Sequence, residues 1–305
     1  MIKKACALVS LAASLSMGTS YGNSDLEKAD ADFKNRGSFS YEELTATRNL
    51  YKKVYDAGGL SPQERINIVT QIGRLDIFRG GLLPELSAVS VADQKSAIDD
   101  CLGAAELISA TGSAQYHYLK TSCIAFRGKL ETSILGRTKY GLMMRKAQGP
   151  ALAAAGAVDG NFEAGGIFRV MSALRGNRKA KPLGLYDAAE ALDYAEKALA
   201  TPSVEDSYFD TDFSGSDYYE NYYYQGQSQI ALGIENEDLN LVTEGRDLLK
   251  SKVRRIDLMK NRNKLGERAP ETLAYQVLMK KLHTKVDACE SESNWKSCLI
   301  EKLTD

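Results

Sequence analysis

Asp187-Ala188-Ala189-Glu190-Ala191-Leu192-Asp193-Tyr194-Ala195-Glu196-Lys197-Ala198-Leu199-Ala200-Thr201-Pro202 is the stretch whose reading decides the fold. An acidic residue followed three positions later by glutamate resembles a capping box, which satisfies backbone N–H groups left orphaned where a helix starts. Ala191, Ala195 and Ala198 then fall at helical spacing and make one side small enough for a neighbouring helix to approach closely. Pro202 closes the segment, because its ring cannot continue a helix. A second stretch, Tyr223-Tyr224-Gln225-Gly226 running on to Ala231-Leu232-Gly233, supplies the matching half, with Gly226 at the close-approach position. Both read as halves of a tetratricopeptide-like helix pair.

Helical periodicity extends outward from there in both directions. It predicts helices near 25–36, 41–57, 61–79, 91–110, 114–136, 139–156, 164–176, 187–200, 217–233, 237–256 and 270–289, punctuated by Gly58-Gly59, Gly80-Gly81, Gly112, Gly160, Gly176, Pro202 and Gly233. No alternating strand pattern of useful length appears. Second helices start near Tyr41, Val91, Lys139, Asp187 and Asp238, steps of 50, 48, 48 and 51 residues. The expected fold is therefore all-α, a tetratricopeptide-like α-solenoid of antiparallel helix pairs with connections longer than in a tight repeat. No Ser/Gly/Pro-rich linker divides it, so residues 23–305 are expected to form one helical-repeat domain.

Composition narrows the function classes. Of 305 residues, 44% are apolar and 26% charged, with a net charge of −1, which excludes a disordered chain and a basic nucleic-acid-binding surface. Residues 1–22 read as a cleaved export signal: Lys3 and Lys4, an apolar stretch from Ala5 to Met17, and small residues before a cut after Gly22. That stretch is too short to span a bilayer, and no transmembrane segment is expected after its removal. No lipid-attachment cysteine follows it. Gly18-Thr19-Ser20-Tyr21-Gly22 matches a hydrolase G-x-S-x-G pattern, but it lacks the preceding strand that chemistry needs.

Without Cys6, four cysteines remain: Cys101, Cys123, Cys289 and Cys298. Cys101 and Cys123 each lie 11 residues from Gly112, in the expected turn Thr111-Gly112-Ser113. On an antiparallel hairpin equal distances from the turn mean equal height, about 16 Å from the bend. The pairing expected is Cys101 with Cys123 and Cys289 with Cys298, as an oxidising compartment permits. A periplasmic location follows.

Gly165-Gly166-Ile167-Phe168-Arg169-Val170, Gly176, Gly184-Leu185-Tyr186-Asp187, the Ala-rich helix from Ala191 to Leu199 and Glu220-Asn221-Tyr222 together form a further pattern. Over residues 160–235 it resembles the T-component family of TRAP transporter systems. Those are periplasmic tetratricopeptide-like helical proteins that associate with a substrate-binding protein for small organic acids. The resemblance implies a non-enzymatic accessory role in uptake, a periplasmic solute-binding protein as partner and a small or apolar organic acid as ligand. Many members carry a lipidated cysteine, which this chain lacks. An envelope scaffold without a transport role, or a helical hydrolase of envelope polymers, are the alternatives, and self-association into a homo-oligomer is compatible with such a repeat.

Candidate site residues are few. His117 and His283 are the only histidines and show no metal spacing, and there is no phosphate-binding loop or dinucleotide fingerprint. No catalytic residue is assigned. Arg169 stands alone on the apolar run Ile167 to Leu174, where a buried guanidinium needs a partner: a glutamate, a backbone carbonyl or a ligand carboxylate. Tyr218, Tyr222 and Tyr223 belong to a tyrosine-rich helix that also carries Tyr219 and Tyr224, and rings around so much of one circumference suit a groove or cavity. In Asp210-Thr211-Asp212-Phe213-Ser214-Gly215, the side chains of Asp210, Asp212 and Ser214 alternate as in a calcium loop, although the twelfth position is Asn221. Calcium is the one cofactor that loop would suit. A basic cluster from Lys250 to Arg268 would meet an acidic partner or an anionic envelope surface.

Overall fold

The structure, a computed structural model, describes residues 20–156, 162–202, 204–206 and 211–304. Thirteen α-helices are seen among them: α1 (Ser20–Lys34), α2 (Tyr41–Ala57), α3 (Pro62–Ile77), α4 (Leu83–Leu86), α5 (Val91–Glu106), α6 (Ala114–Lys129), α7 (Ile134–Ala155), α8 (Phe162–Arg175), α9 (Ala188–Leu199), α10 (Tyr219–Asn236), α11 (Leu239–Asn261), α12 (Ala269–Asp287) and α13 (Trp295–Thr304). The all-α, solenoid-like class holds. The export signal lies almost wholly outside the described residues. Among those residues no helix is long and apolar enough to cross a membrane.

Local chemistry explains most boundaries. Ser40 and Ser61 cap α2 and α3 in full capping boxes with Glu43 and Glu64. Asp187 caps α9 by accepting from the Glu190 backbone N–H. Gly112 turns the α5–α6 hairpin with a left-handed φ of 59°, and Ser113 caps α6. Cys101 and Cys123 are bridged across that hairpin with Cα atoms 6.0 Å apart, and Cys289 and Cys298 are bridged at 5.7 Å. Gly226 marks a close approach: a Cβ there would meet the Gly245 carbonyl at 3.0 Å and the Leu249 side chain at 2.7 Å. Helices α10 and α11 thus cross nearly backbone to backbone.

Several expectations change. Gly80-Gly81 does not end a helix; Phe78–Leu82 forms a π-helical turn that carries α3 into α4. Those glycines serve packing, since a Cβ on Gly80 would strike Ile98 and one on Gly81 would strike the Phe126 ring. Helix α7 begins at Ile134 rather than 139, because Ser133 accepts from the Gly136 N–H and caps it there. The second-helix steps become 50, 43, 54 and 51 residues, a looser repeat than the sequence spacing suggests. A two-stranded hairpin, Val204–Asp206 with Thr211–Phe213, and the terminal α13 also escape periodicity, the strands being only three residues each.

Apart from the short α4, neighbouring helices pack in chain order from α1 to α12, as in a solenoid. The chain then closes on itself, because α12 returns to α4 and the π-helical turn. Arg36, 1% exposed, donates from Nε and Nη2 to the Glu271 carboxylate at 2.7 and 2.6 Å and from Nη2 to the Glu267 carbonyl at 3.1 Å. Ala274 and Tyr275 of α12 lie in the same apolar core as Phe33, Leu44 and Leu75. The helices therefore surround an interior.

Candidate functional site: a cavity with a buried arginine floor

That interior holds a cavity of about 460 Å³, within the usual range for small-molecule sites. Its walls are largely aliphatic and aromatic: Phe78 and Leu82 from the π-helical turn, Phe126 from α6, Tyr140 and Met144 from α7, and Leu174 from α8. The π-helical turn sits at the cavity wall, a common position for such bulges.

At one end charges converge. Glu163, buried at the head of α8, forms ion pairs with Arg74 and, at 3.4 Å, with Arg268, while Arg169 stands 3.9 Å away. Burial pushes the Glu163 carboxyl up, but Arg74, Arg268 and Arg169 outweigh it and hold the group down at about 2. Arg268 also pairs with Glu220. The ring of Tyr218 lies 3.7 Å from the Arg268 guanidinium and 5.0 Å from that of Arg169. Beside this floor the Tyr224 and Tyr275 hydroxyls meet at 3.3 Å, with the Tyr223 ring edge-on to Tyr224 and tilted against Tyr275. Glu163, Ala164 and Gly165 turn the chain in left-handed conformation, φ 54°, 45° and 81°, an uncommon geometry for the two residues that carry a Cβ.

Arg169 donates to the Asn221 side-chain oxygen at 2.9 Å and to the Glu163 carbonyl at 3.2 Å. A backbone carbonyl and an amide oxygen thus engage its guanidinium, and Arg169 also lines the cavity. Asn221 in turn donates to the carbonyls of Gly215, Ala198 and Ala164, tying three segments together. Tyr223 and Tyr224 line the cavity. Tyr218 lies beneath the floor, 1% exposed, and Tyr222 points away from the cavity under the Lys252 ammonium, 3.4 Å from its ring centre. Of the tyrosine helix, then, only part of the circumference serves the cavity.

Asp210 lies outside the described residues. Asp212 sits on a strand paired with Glu205, and the Ser214 hydroxyl donates to Asp217 at 2.6 Å in a tight turn. The basic cluster disperses: Lys250 pairs with Asp287 at 2.6 Å, Lys252 covers Tyr222, and Arg268 is buried in the floor. His283 Nδ1 stands 3.5 Å from Asp287, and His117 packs against Tyr116.

Sequence reasoning missed Arg74, Glu163, Glu220, Arg268 and Tyr275. It also missed Lys129, the last residue of α6, whose side chain is open to the cavity. Lys129 is exposed to solvent, yet the protein packed around it desolvates the ammonium enough to lower its pKa. The carboxylate nearest in the electrostatic balance, Glu85, already pairs with Lys281 at 2.6 Å. Among the described residues no carboxylate lies within ion-pair distance of Lys129. Lys179 and Arg137 line the cavity as well.

No protein-family model, curated protein or solved structure matches the chain.

Proposed function

We propose that this chain is an exported, non-enzymatic binding protein of the helical-repeat class. Its cavity takes a small organic acid with an apolar body, and the protein acts as an accessory to a TRAP-type uptake system by docking a solute-binding protein. One observation carries the ligand half: Lys129 lines a mainly apolar cavity, is exposed to solvent, and has no carboxylate within ion-pair distance among the described residues. An ammonium with no counter-ion of its own is free to pair with a carboxylate that a ligand brings into the cavity. Burial of the ligand's hydrocarbon part against Phe78, Phe126 and Met144 adds a favourable term proportional to area. The arginine floor is a poorer anchor, since Glu163, Glu220 and Asn221 already engage its guanidinium groups. The partner half rests on the resemblance over residues 160–235 and on the two disulfides, which suit an oxidising compartment.

Calorimetric titration with dodecanoate and with dodecanol tests the ligand half. The acid is expected to bind more tightly, and Lys129→Met to weaken the acid roughly tenfold or more while sparing the alcohol. Equal affinity of acid and alcohol in the unmodified protein would remove the anion anchor from the reading. Cross-linking in periplasm tests the partner half. Recovery of a solute-binding protein supports it, and recovery of cell-wall or secretion proteins alone would favour a scaffold.

A further inference from the structure

Helix α7 has two faces of opposite use. Tyr140, Gly141 and Met144 turn inward and form part of the cavity wall. The outward face carries Leu135, Lys139, Leu142 and Lys146 at helical spacing, with Ile134 beside them at the helix start. Large exposed apolar residues number seven among the described residues, and three of them are here: Ile134 at 81%, Leu135 at 84% and Leu142 at 52%. The first two are the most exposed of all. Apolar exposure gathered on one helix marks an interaction surface rather than ordinary scatter.

Charge decides what covers it. Helix α7 holds four basic residues, Arg137, Lys139, Arg145 and Lys146, and no acidic one. Arg145 is turned onto the Leu183 carbonyl and Arg137 donates to the Glu131 carbonyl, whereas Lys139 and Lys146 are exposed and pair with no carboxylate among the described residues. A second copy meeting this face symmetrically would oppose lysine with lysine. The segment 1–19 carries Lys3 and Lys4 and no acidic residue, so it has the same sign. Leucines alternating with lysines along one face suit a surface that is negative outside and apolar within.

We infer that the outer face of α7 docks on an anionic lipid bilayer, with Ile134, Leu135 and Leu142 entering the interface and Lys139 and Lys146 meeting lipid phosphates. The same helix is a wall of the cavity, so docking brings the cavity alongside a reservoir of amphiphilic acids; that consequence rests on the ligand reading above, while docking itself does not. Co-sedimentation with vesicles of phosphatidylcholine alone and of phosphatidylcholine with phosphatidylglycerol tests it, at low and high salt. The full disulfide-bonded protein is expected to sediment with the anionic vesicles only, and less at high salt. Lys139→Glu with Lys146→Glu should reduce partitioning roughly tenfold or more, and Leu135→Ser with Leu142→Ser should reduce it at both salt concentrations. All four positions are exposed, and an unchanged melting temperature confirms that the variants fold. Failure to bind anionic vesicles, or binding unaffected by both pairs of substitutions, overturns the inference. Sedimentation velocity showing a dimer that Leu135→Ser with Leu142→Ser dissolves would assign the face to a second copy instead. Dodecanoate binding by these variants should equal that of the unmodified protein, so loss of docking and loss of the cavity ligand are read separately.

Discussion

Asp76 and Glu163 are both carboxylates withdrawn from water and ringed by guanidinium groups, and they are pushed in opposite directions. Asp76, fully buried on α3, accepts from Arg48 Nε at 3.2 Å and from Arg79 Nη1 at 2.7 Å. Burial raises it to about 7, more than Arg48 and Arg79 lower it, and the nearby Asp100 adds to the rise. At Glu163 three arginines converge and win against burial. The two clusters also differ in reach. Arg48, Asp76, Arg79 and Asp100 span 53 residues and join α2, α3 and α5, which are neighbours in the repeat. The Glu163 cluster joins Arg74 of α3 to Arg268 just ahead of α12, so it holds the closed ring together around the cavity. Charge inside a repeat fixes the angle between adjacent helices, whereas charge across the ring fixes the interior.

The largest expected effect comes from breaking the second cluster. Glu163→Gln leaves Arg74 and Arg268 without their shared counter-ion and should cost about 3–5 kcal/mol at pH 7, measured by urea unfolding. The sign of the pH dependence follows from the same shift. A carboxyl near 4.5 unfolded and near 2 folded contributes stability that is present above pH 4.5 and lost as pH falls toward 2. Glu163→Gln should flatten that acid limb.

Asp76 predicts the reverse slope. Its folded value lies above the unfolded 3.8, so the folded state holds the proton more tightly and stability should fall as pH rises from about 4 to about 7. Asp76→Asn should remove that slope and cost less at pH 7 than Glu163→Gln, because Arg79 keeps a hydrogen bond to the Tyr41 hydroxyl at 3.0 Å. Equal losses in the two variants, or identical pH profiles, would erase the distinction between the clusters. Tyr41→Phe removes that last acceptor and should cost about 1 kcal/mol alone. In the Asp76→Asn background it should cost more, since the two changes share one guanidinium.

Lys129 supplies the smallest effect and sharpens the comparison. It is an exposed charge with no carboxylate partner among the described residues, so Lys129→Met should leave the ligand-free protein about as stable at pH 7 in thermal melts. Its lowered pKa means that stability in the unmodified protein rises with pH between that value and 10.5, and the variant should lose this rise. A clear loss of stability would show that Lys129 has a structural partner.

The Cys101–Cys123 disulfide was legible because both residues stand equally far from Gly112, and hairpin geometry converts equal spacing into equal height; Cys289 and Cys298 were then the two cysteines left to pair. Arg169 was legible as a lone charge on an apolar run. Arg74, between Ile72 and Ile77, obeys the same rule and was within reach of it. Glu163, Glu220 and Arg268 were not, because their partners lie 48 to 105 residues away and no local pattern encodes such separations. Tyr218, Tyr222 and Tyr223 looked equivalent in sequence, and only the packing of α10 between α9, α11 and α12 sends one beneath the floor, one toward Lys252 and one to the cavity.

What the sequence determined by itself was the helical class, the order of most of the helices, the Asp187 cap and the two cross-links. These depend on contacts within a few turns of one another along the chain. Closure of the solenoid through Arg36 and Glu271, the cavity it lines, the convergence of three arginines on Glu163 and the position of Lys129 without a carboxylate partner were decided only in three dimensions. A charge's environment is a sum over everything that surrounds it, and the chain reveals those neighbours only once it has folded back upon itself.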